Sequence, residues 1–456
     1  MIDQSAWLAP ALAYVESWLG YQMRTTEQPG CALAIAYKGE VALDVAFGWA
    51  DQVSGEALTP RHRFRVASHS KSFTATAIMK LREQGRLKLD DTAGQYVHGL
   101  QPDIAGATLT QLLSHTAGVL RDGPDSAYWV DRKPFLDEAD LRAELALPPA
   151  IPATTRLKYS NHGFGLLGLV IEAVTGESYG AWVQREVVDA VGLTETSPDV
   201  PSNGPLARGH SGKALLGRRL VFPGDQSTHS LASATGFVST ATDLARFFAQ
   251  LSPTAETSVL SVASRREMSR AQWEDQWSVA PQKYGLGTIS GTFDGWNWFG
   301  HSGGFQGYVT RSAVIPEHDL SLSCLTNAVD GMSGLWLDGA LAILKRFKQD
   351  GAPKPELADW SGRWWSVWGP TDLIPVGDKV VLGLPGLANP IAKAAELTVT
   401  GPDEARIVQS GAFGNYEEPA RLIRDDQGAV TEVRLAGGRL IAEASLAAEL
   451  TGRYER

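Results

Sequence analysis

Apolar side chains at Leu8, Leu12, Val15 and Leu19 recur at helical spacing and predict an amphipathic helix over residues 6–24, ending near Gly20. The period then falls to two. Residues 31–37 and 41–49 are β-rich runs separated by Lys38-Gly39-Glu40, a hairpin connection with glycine where a positive φ is needed. A short alternating segment, residues 63–68, leads into a long helix that buries Phe73, Ala77, Ile78 and Leu81 and stops at Gly85. Helical patterns over residues 108–115, 138–147 and 161–174 follow, with Asn161 of N-cap type.

Residues 198–224, rich in Pro, Gly and Ser, read as loop, and a helix over 242–251 follows the cap residues Ser239 and Thr240. Strands resume at 284–289, 296–299, 307–315 and 320–325, before a helix at 332–347. This order predicts an α+β architecture. Early and late strands share one sheet with helices on its faces, and the helical insertion forms a second lobe.

Residues 348–355 have the composition of a linker. Short strands at 379–384, 397–399, 420–424 and 429–435, with a turn at 425–428, then predict a small all-β domain. The expected division is therefore 1–350 and 351–456. Trp360, Trp364, Trp365 and Trp368 cluster at the start of the tail and read as packing residues rather than a substrate-facing surface.

Composition narrows the function. A chain of 456 residues with 43% hydrophobic content can bury a large core, and a net charge of −10 without a basic block argues against a nucleic-acid footprint or an anionic membrane surface. A small-molecule or peptide substrate fits better. Cys31 and Cys324 lie in apolar runs without metal-ligand spacing, and read as buried hydrophobes in a reducing compartment. No metal motif and no phosphate-binding glycine loop is present, so neither cofactor nor metal is expected. Residues 1–5 contain no basic n-region, and no run reaches the ~18 apolar residues of a membrane span. The expected location is cytoplasmic, although a chain already relieved of a leader would read the same way.

The candidate chemistry starts at Ser68 and Lys71. Three residues apart at a helix root, they face the same space, a nucleophile beside a base. Serine needs that base, yet holding a lysine of ordinary pKa neutral at pH 7 costs ~4–5 kcal/mol, so burial and the helix N-terminus must lower it. Tyr159 could share the proton. Alone, Tyr159 is an ordinary tyrosine, Asn161 a helix cap and His301 a structural hydrogen-bonder; His62, His69, His115 and His162 also read as structural.

Taken together, Ser68-x-x-Lys71, Tyr159-Ser160-Asn161, Ser233-Ala234-Thr235-Gly236 and His301-Ser302-Gly303-Gly304 at a strand start resemble, in order and spacing, the penicillin-recognising serine hydrolases. That family includes class C β-lactamases, D-alanyl-D-alanine carboxypeptidases, D-amino-acid peptidases and related esterases. The segment from Leu112 to Gly118 also resembles its class C branch. The resemblance covers roughly residues 10–345. It implies a β-lactamase/transpeptidase-like fold, an antiparallel sheet flanked by helices plus a helical lobe, with the tail as a lipocalin-like β-barrel.

By the same resemblance, Ser68 forms an acyl-enzyme and Lys71 and Tyr159 exchange the proton, with the identity of the base left open. Asn161 binds substrate or orients Lys71, the N–H groups of Ser68 and Gly304 form the oxyanion hole, and His301, Ser302 and Gly303 line the substrate strand. Where many relatives carry lysine, His301 is mostly neutral at pH 7, which shifts the expectation from carboxylate-terminated substrates toward amides, peptides cut from the amino end, or esters. D-amino-acid-containing peptides or amides are the leading expectation, with a carboxylesterase or weak β-lactamase as the alternative. A ligand or penicillin binder without turnover is the reading of another class, and a homo-oligomer is compatible with either.

Residues 300–304 also satisfy G-x-S-x-G, the nucleophile elbow of another hydrolase fold, with Ser302 as nucleophile. Residues 305–315 read as strand where that elbow needs a helix, which argues against it.

Overall fold

The alternating runs near the N-terminus and those after residue 270 do meet in one sheet. In the computed structural model, which describes residues 5–201, 204–276, 282–409 and 414–455, contacts divide the chain into two compact units. The first four residues, which carry most of the leader reading, lie outside the described residues.

The unit spanning residues 28–334 holds a nine-stranded sheet. Its spatial order is Glu56–Ala57, Glu40–Asp51, Gly30–Tyr37, Leu320–Thr326, Tyr308–Ile315, Trp296–Phe305, Ile289–Phe293, Gln282–Tyr284 and Trp273–Asp275. All named pairings are antiparallel, and Gly30–Tyr37 lies directly against Leu320–Thr326, joining the two ends of this unit's sequence. The helix Ala241–Gln250, capped by Thr240, packs on the sheet, where Ser321 Oγ donates to Ala245 O at 2.8 Å.

Helix Ser70–Glu83 is buried nearly all round, which marks a central rather than a surface helix. Phe73 stacks between Phe237 and Phe247, at ring-centroid distances of 4.3 and 3.7 Å. Into this apolar setting the sequence places Lys71.

Two strand boundaries differ from expectation in ways that shape the site. The run expected at 284–289 breaks into Gln282–Tyr284 and Ile289–Phe293, because Gly287 takes φ +68° and approaches the central helix so closely that a Cβ there would lie 2.9 Å from Lys71 O. His301-Ser302-Gly303-Gly304 sits within one strand, Trp296–Phe305, not at a strand start. Glycines hide it, since they carry little β propensity, yet a Cβ at Gly300 would meet Ser312 O at 2.1 Å and one at Gly303 would meet Val66 O at 2.2 Å. The same course removes the nucleophile elbow at Ser302. The expected loop at 198–224 contains the short strands Gly209–His210 and Val221–Phe222.

The other unit gathers residues 5–27 and 335–455. The β-domain is a closed barrel of eight strands from Gly362–Ser366 to Gly438–Ile441, with a core that includes Trp360, Val380, Leu397, Ile407 and Val433. Helix Leu8–Thr26 belongs with it: Trp18 Nε1 donates to Leu387 O at 3.1 Å, Gln22 Nε2 to Pro385 O at 2.6 Å, and Tyr14 Oη to Asp372 Oδ2 at 3.0 Å. Most of helix Ser333–Asp350 joins the same unit through Trp336 Nε1, which donates to Gln22 Oε1 at 3.1 Å. A linear cut at residue 350 therefore separates segments that pack together. Nor do the tryptophans form one cluster, because Trp360 is buried whereas Trp368, in a hairpin turn, is 94% exposed. A C-terminal helix, Glu443–Tyr454, was not expected; it buries none of its residues, so no apolar stripe announces it. Among the described residues, no helix is long and apolar enough to cross a membrane.

Candidate active site

Ser68 sits where a short strand turns into the central helix. Phe64–Arg65 pairs with Val238–Ser239, Val66 N donates to Phe237 O, and the turn Ala67–His69 then enters Ser70–Glu83. Ala67 is left-handed at φ +47°, a strained backbone for a residue with a Cβ. Ser70 holds that turn, its Oγ donating to Ala67 O at 2.5 Å and accepting from Phe237 N at 3.0 Å.

Lys71 lies one turn on and is fully buried. Its Nζ lies 2.7 Å from Asn161 Oδ1, 2.8 Å from Ala234 O and 3.2 Å from Ser68 Oγ. Tyr159 reaches the same oxygen, with its Oη donating to Ser68 Oγ at 2.7 Å. Asn161 is free to face Lys71 because the N-cap is Ser160, whose Oγ accepts from Gly163 N at 2.8 Å. Capping by Asn161, as its residue type suggested, would have withdrawn that amide. Asp122 fixes its orientation, accepting from Asn161 Nδ2 at 2.5 Å and from Trp129 Nε1 at 3.1 Å, beside Arg121 at 3.0 Å.

Burial governs the electrostatics. It pushes the Lys71 amine well below the ordinary lysine value against the opposing pull of Asp122, and raises the phenols of Tyr159 and Tyr284. It likewise depresses His301, and His69 to about 4. Burial thus disfavours the charged form of each of these groups. A neutral amine has two hydrogens and one lone pair, and Asn161 Oδ1 and Ala234 O take the hydrogens, leaving the lone pair to Ser68.

His301 is 1% exposed, and both ring nitrogens are engaged. Nδ1 donates to Ser302 O at 2.7 Å, which leaves Nε2 to accept from Tyr284 Oη at 3.0 Å. Ser302, Gly304 and Tyr284 join Ser68, Tyr159 and His301 along a cavity of about 340 Å³, also bordered by Arg121 and Lys283. A Cβ at Gly304 would meet nothing within 4 Å, so the space beside it is open, whereas Gly303 faces Val66 O, two residues before Ser68. A larger cavity of about 590 Å³, bordered by Glu138, Glu172, Asp199 and His229, contains neither Ser68 nor Tyr159.

The structure thus assembles Ser68, Lys71, Tyr159, Asn161, His301, Ser302 and Gly304, with Gly303 behind them. Sequence reasoning missed Asp122 and Tyr284, which stand in no motif; only the fold brings them to Asn161 and His301. His69 is tied to Val66 O and Ser312 Oγ, away from the Ser68 hydroxyl network. Among the described residues, no group of three or more His, Cys, Asp or Glu side chains could hold a metal ion.

Comparison with known proteins matches residues 15–342 to the family model described as Beta-lactamase. The chain is 28% identical over 320 residues to "Penicillin-binding protein 4" of Amycolatopsis lactamdurans, covering 66% of this chain and 81% of that protein. The solved structure of an octameric penicillin-binding protein homologue from Pyrococcus abyssi is similar with a TM-score of 0.66 at 24% identity, over 94% of this chain and 99% of that one. A D-stereospecific amidohydrolase from Streptomyces sp. aligns with a TM-score of 0.61 at 26% identity, over 72% and 98% of the two chains.

Proposed function

The chain belongs to the Beta-lactamase family, and from that premise we propose that it is a serine hydrolase working through an acyl-enzyme on Ser68. The observation that carries this reading is the convergence of Lys71 Nζ and Tyr159 Oη on one serine oxygen at a cavity wall.

In the proposed cycle, neutral Lys71 takes the Ser68 proton as Oγ attacks the carbonyl carbon. The Ser68 and Gly304 N–H groups receive the developing oxyanion, each donor worth about 3 kcal/mol. Tyr159, a protonated phenol, gives its proton to the departing amine or alkoxide and regains one from the Lys71 ammonium. Water then attacks the acyl carbon, its proton passes to Lys71, and Lys71 returns it to Ser68 Oγ as the acid leaves. Burial supports the choice of Lys71 as base over Tyr159, because it favours the uncharged amine and disfavours the phenolate.

For substrate we propose amides or short peptides of D-amino acids. The likeness to a D-stereospecific amidohydrolase supports this, as does the neutral, internally satisfied His301 at the position where a lysine would hold a carboxylate. Ester cleavage follows from the same acyl-enzyme.

The test compares Ser68→Ala and Ser302→Ala on p-nitrophenyl esters and on D- and L-amino-acid amides. Turnover is expected to vanish in Ser68→Ala and to persist in Ser302→Ala. Unchanged turnover in Ser68→Ala would sink the scheme, and an adduct on Ser68 that never decays with any substrate would identify a binder instead.

A further inference from the structure

Tyr159 closes on Ser68 from a loop, and a phenol on a loop needs something to hold it there. His115 occupies that position. Its carbonyl oxygen accepts the N–H of Lys158 at 2.7 Å and its Nδ1 accepts the N–H of Ser160 at 3.1 Å, so one residue grips the chain on both sides of Tyr159. Its imidazole lies against the phenol ring, with centroids 4.1 Å apart and planes 37° from parallel, and also touches Tyr284 at 4.6 Å and Phe164 at 5.1 Å.

Two features of His115 are unfavourable for a residue that only fills space. Because Nδ1 accepts, the neutral ring carries its proton on Nε2, which is buried without a hydrogen-bond partner in a side chain of a residue only 2% exposed. Its backbone is left-handed at φ +58°. A phenylalanine or leucine would fill the volume with no orphaned N–H. What neither can supply is the acceptor at Nδ1 that fixes the Tyr159–Ser160 peptide while the ring fixes the phenol.

We propose that His115 is the positioning residue for Tyr159, clamping its backbone and its ring so that Oη stays on Ser68 Oγ. This rests on the reading of Ser68, Lys71 and Tyr159 given above. His115 does not border the cavity at Ser68, so its effect falls on kcat through Tyr159.

The test is a double-mutant cycle on a D-amino-acid amide, whose leaving amine must be protonated, using His115→Phe, Tyr159→Phe and the pair, with His115→Asn as the conservative variant. Asparagine tolerates the left-handed backbone and places an acceptor near the Nδ1 position. His115→Phe is expected to lower kcat by roughly tenfold to a hundredfold with little change in KM, as a displaced catalytic group does. His115→Asn is expected to restore most of that loss, and in the Tyr159→Phe background His115→Phe should change kcat by no more than about twofold. Should His115→Phe not fold, as judged by circular dichroism, His115→Leu makes the same comparison. Equal losses in the Asn and Phe variants, or losses that multiply across the cycle, overturn the proposal while leaving the hydrolase reading intact. Full activity in Tyr159→Phe overturns the role given to Tyr159, and this proposal with it.

Discussion

Replacing Lys71 by methionine keeps the length of the side chain and removes the amine. Burial is the main force lowering the pKa of this group, opposed by Asp122 and assisted by Arg121. In the unfolded chain the amine titrates near the ordinary ~10.4. Below that value and above the folded pKa, the unfolded chain holds a proton that the folded one lacks, so stability rises with pH. The slope for one full proton is about 1.4 kcal/mol per pH unit. The methionine variant has no such proton. The unfolding free energy of the wild type, minus that of Lys71→Met, should therefore climb by about 1.4 kcal/mol per pH unit as pH approaches the ordinary lysine value from below, and level off above it. Urea titrations of both proteins across that range, following the transition of the unit that contains Ser68, measure the difference directly. The same substitution removes the proposed base and should lower kcat/KM on an ester by ~10²–10⁴, or ~2.7–5.5 kcal/mol of barrier. A stability difference that stays flat with pH would mean that Lys71 is charged in the folded protein, and the neutral-base argument would fail.

Two further substitutions perturb the supports of the site. In Gly303→Ala the new methyl would lie 2.2 Å from Val66 O and 2.5 Å from Thr310 Oγ1, so the strand must move off the Ala67–His69 turn; a stability loss of about 1–3 kcal/mol and a fall in kcat of up to ~100-fold are expected by denaturation and steady-state kinetics. Ser160→Ala removes the cap of helix Asn161–Thr175 and the bond to Leu120 O at 2.6 Å; it should cost about 1 kcal/mol of stability in a urea titration and lower kcat, as Asn161 is drawn toward the vacated cap and away from Lys71.

Local patterns carried much of this protein. The period-two runs announced the sheet, the apolar spacing after Ser70 announced the central helix, and the placement of Ser68, Lys71, Tyr159 and Asn161 in helix roots and loops gave the candidate chemistry, because each depends on neighbours a few residues away. Where local signals failed, a longer-range contact had replaced them. The strand through His301 is written in glycines that propensity discounts, and its course is decided by close approach to Val66 and Ser312. Asn161 looked like a cap, and only the hydroxyl of Ser160 taking that duty sends its amide to Lys71.

The residues proposed to do the chemistry are therefore legible in the chain by itself, together with the antiparallel sheet and the terminal barrel. Tertiary structure alone decided the state of those residues. Burial of Lys71 among Asn161, Ala234 and Ser68, separated from it by up to 163 positions in sequence, is what disfavours its charge. Desolvation is a property of the assembled surroundings, and no spacing along the sequence encodes it.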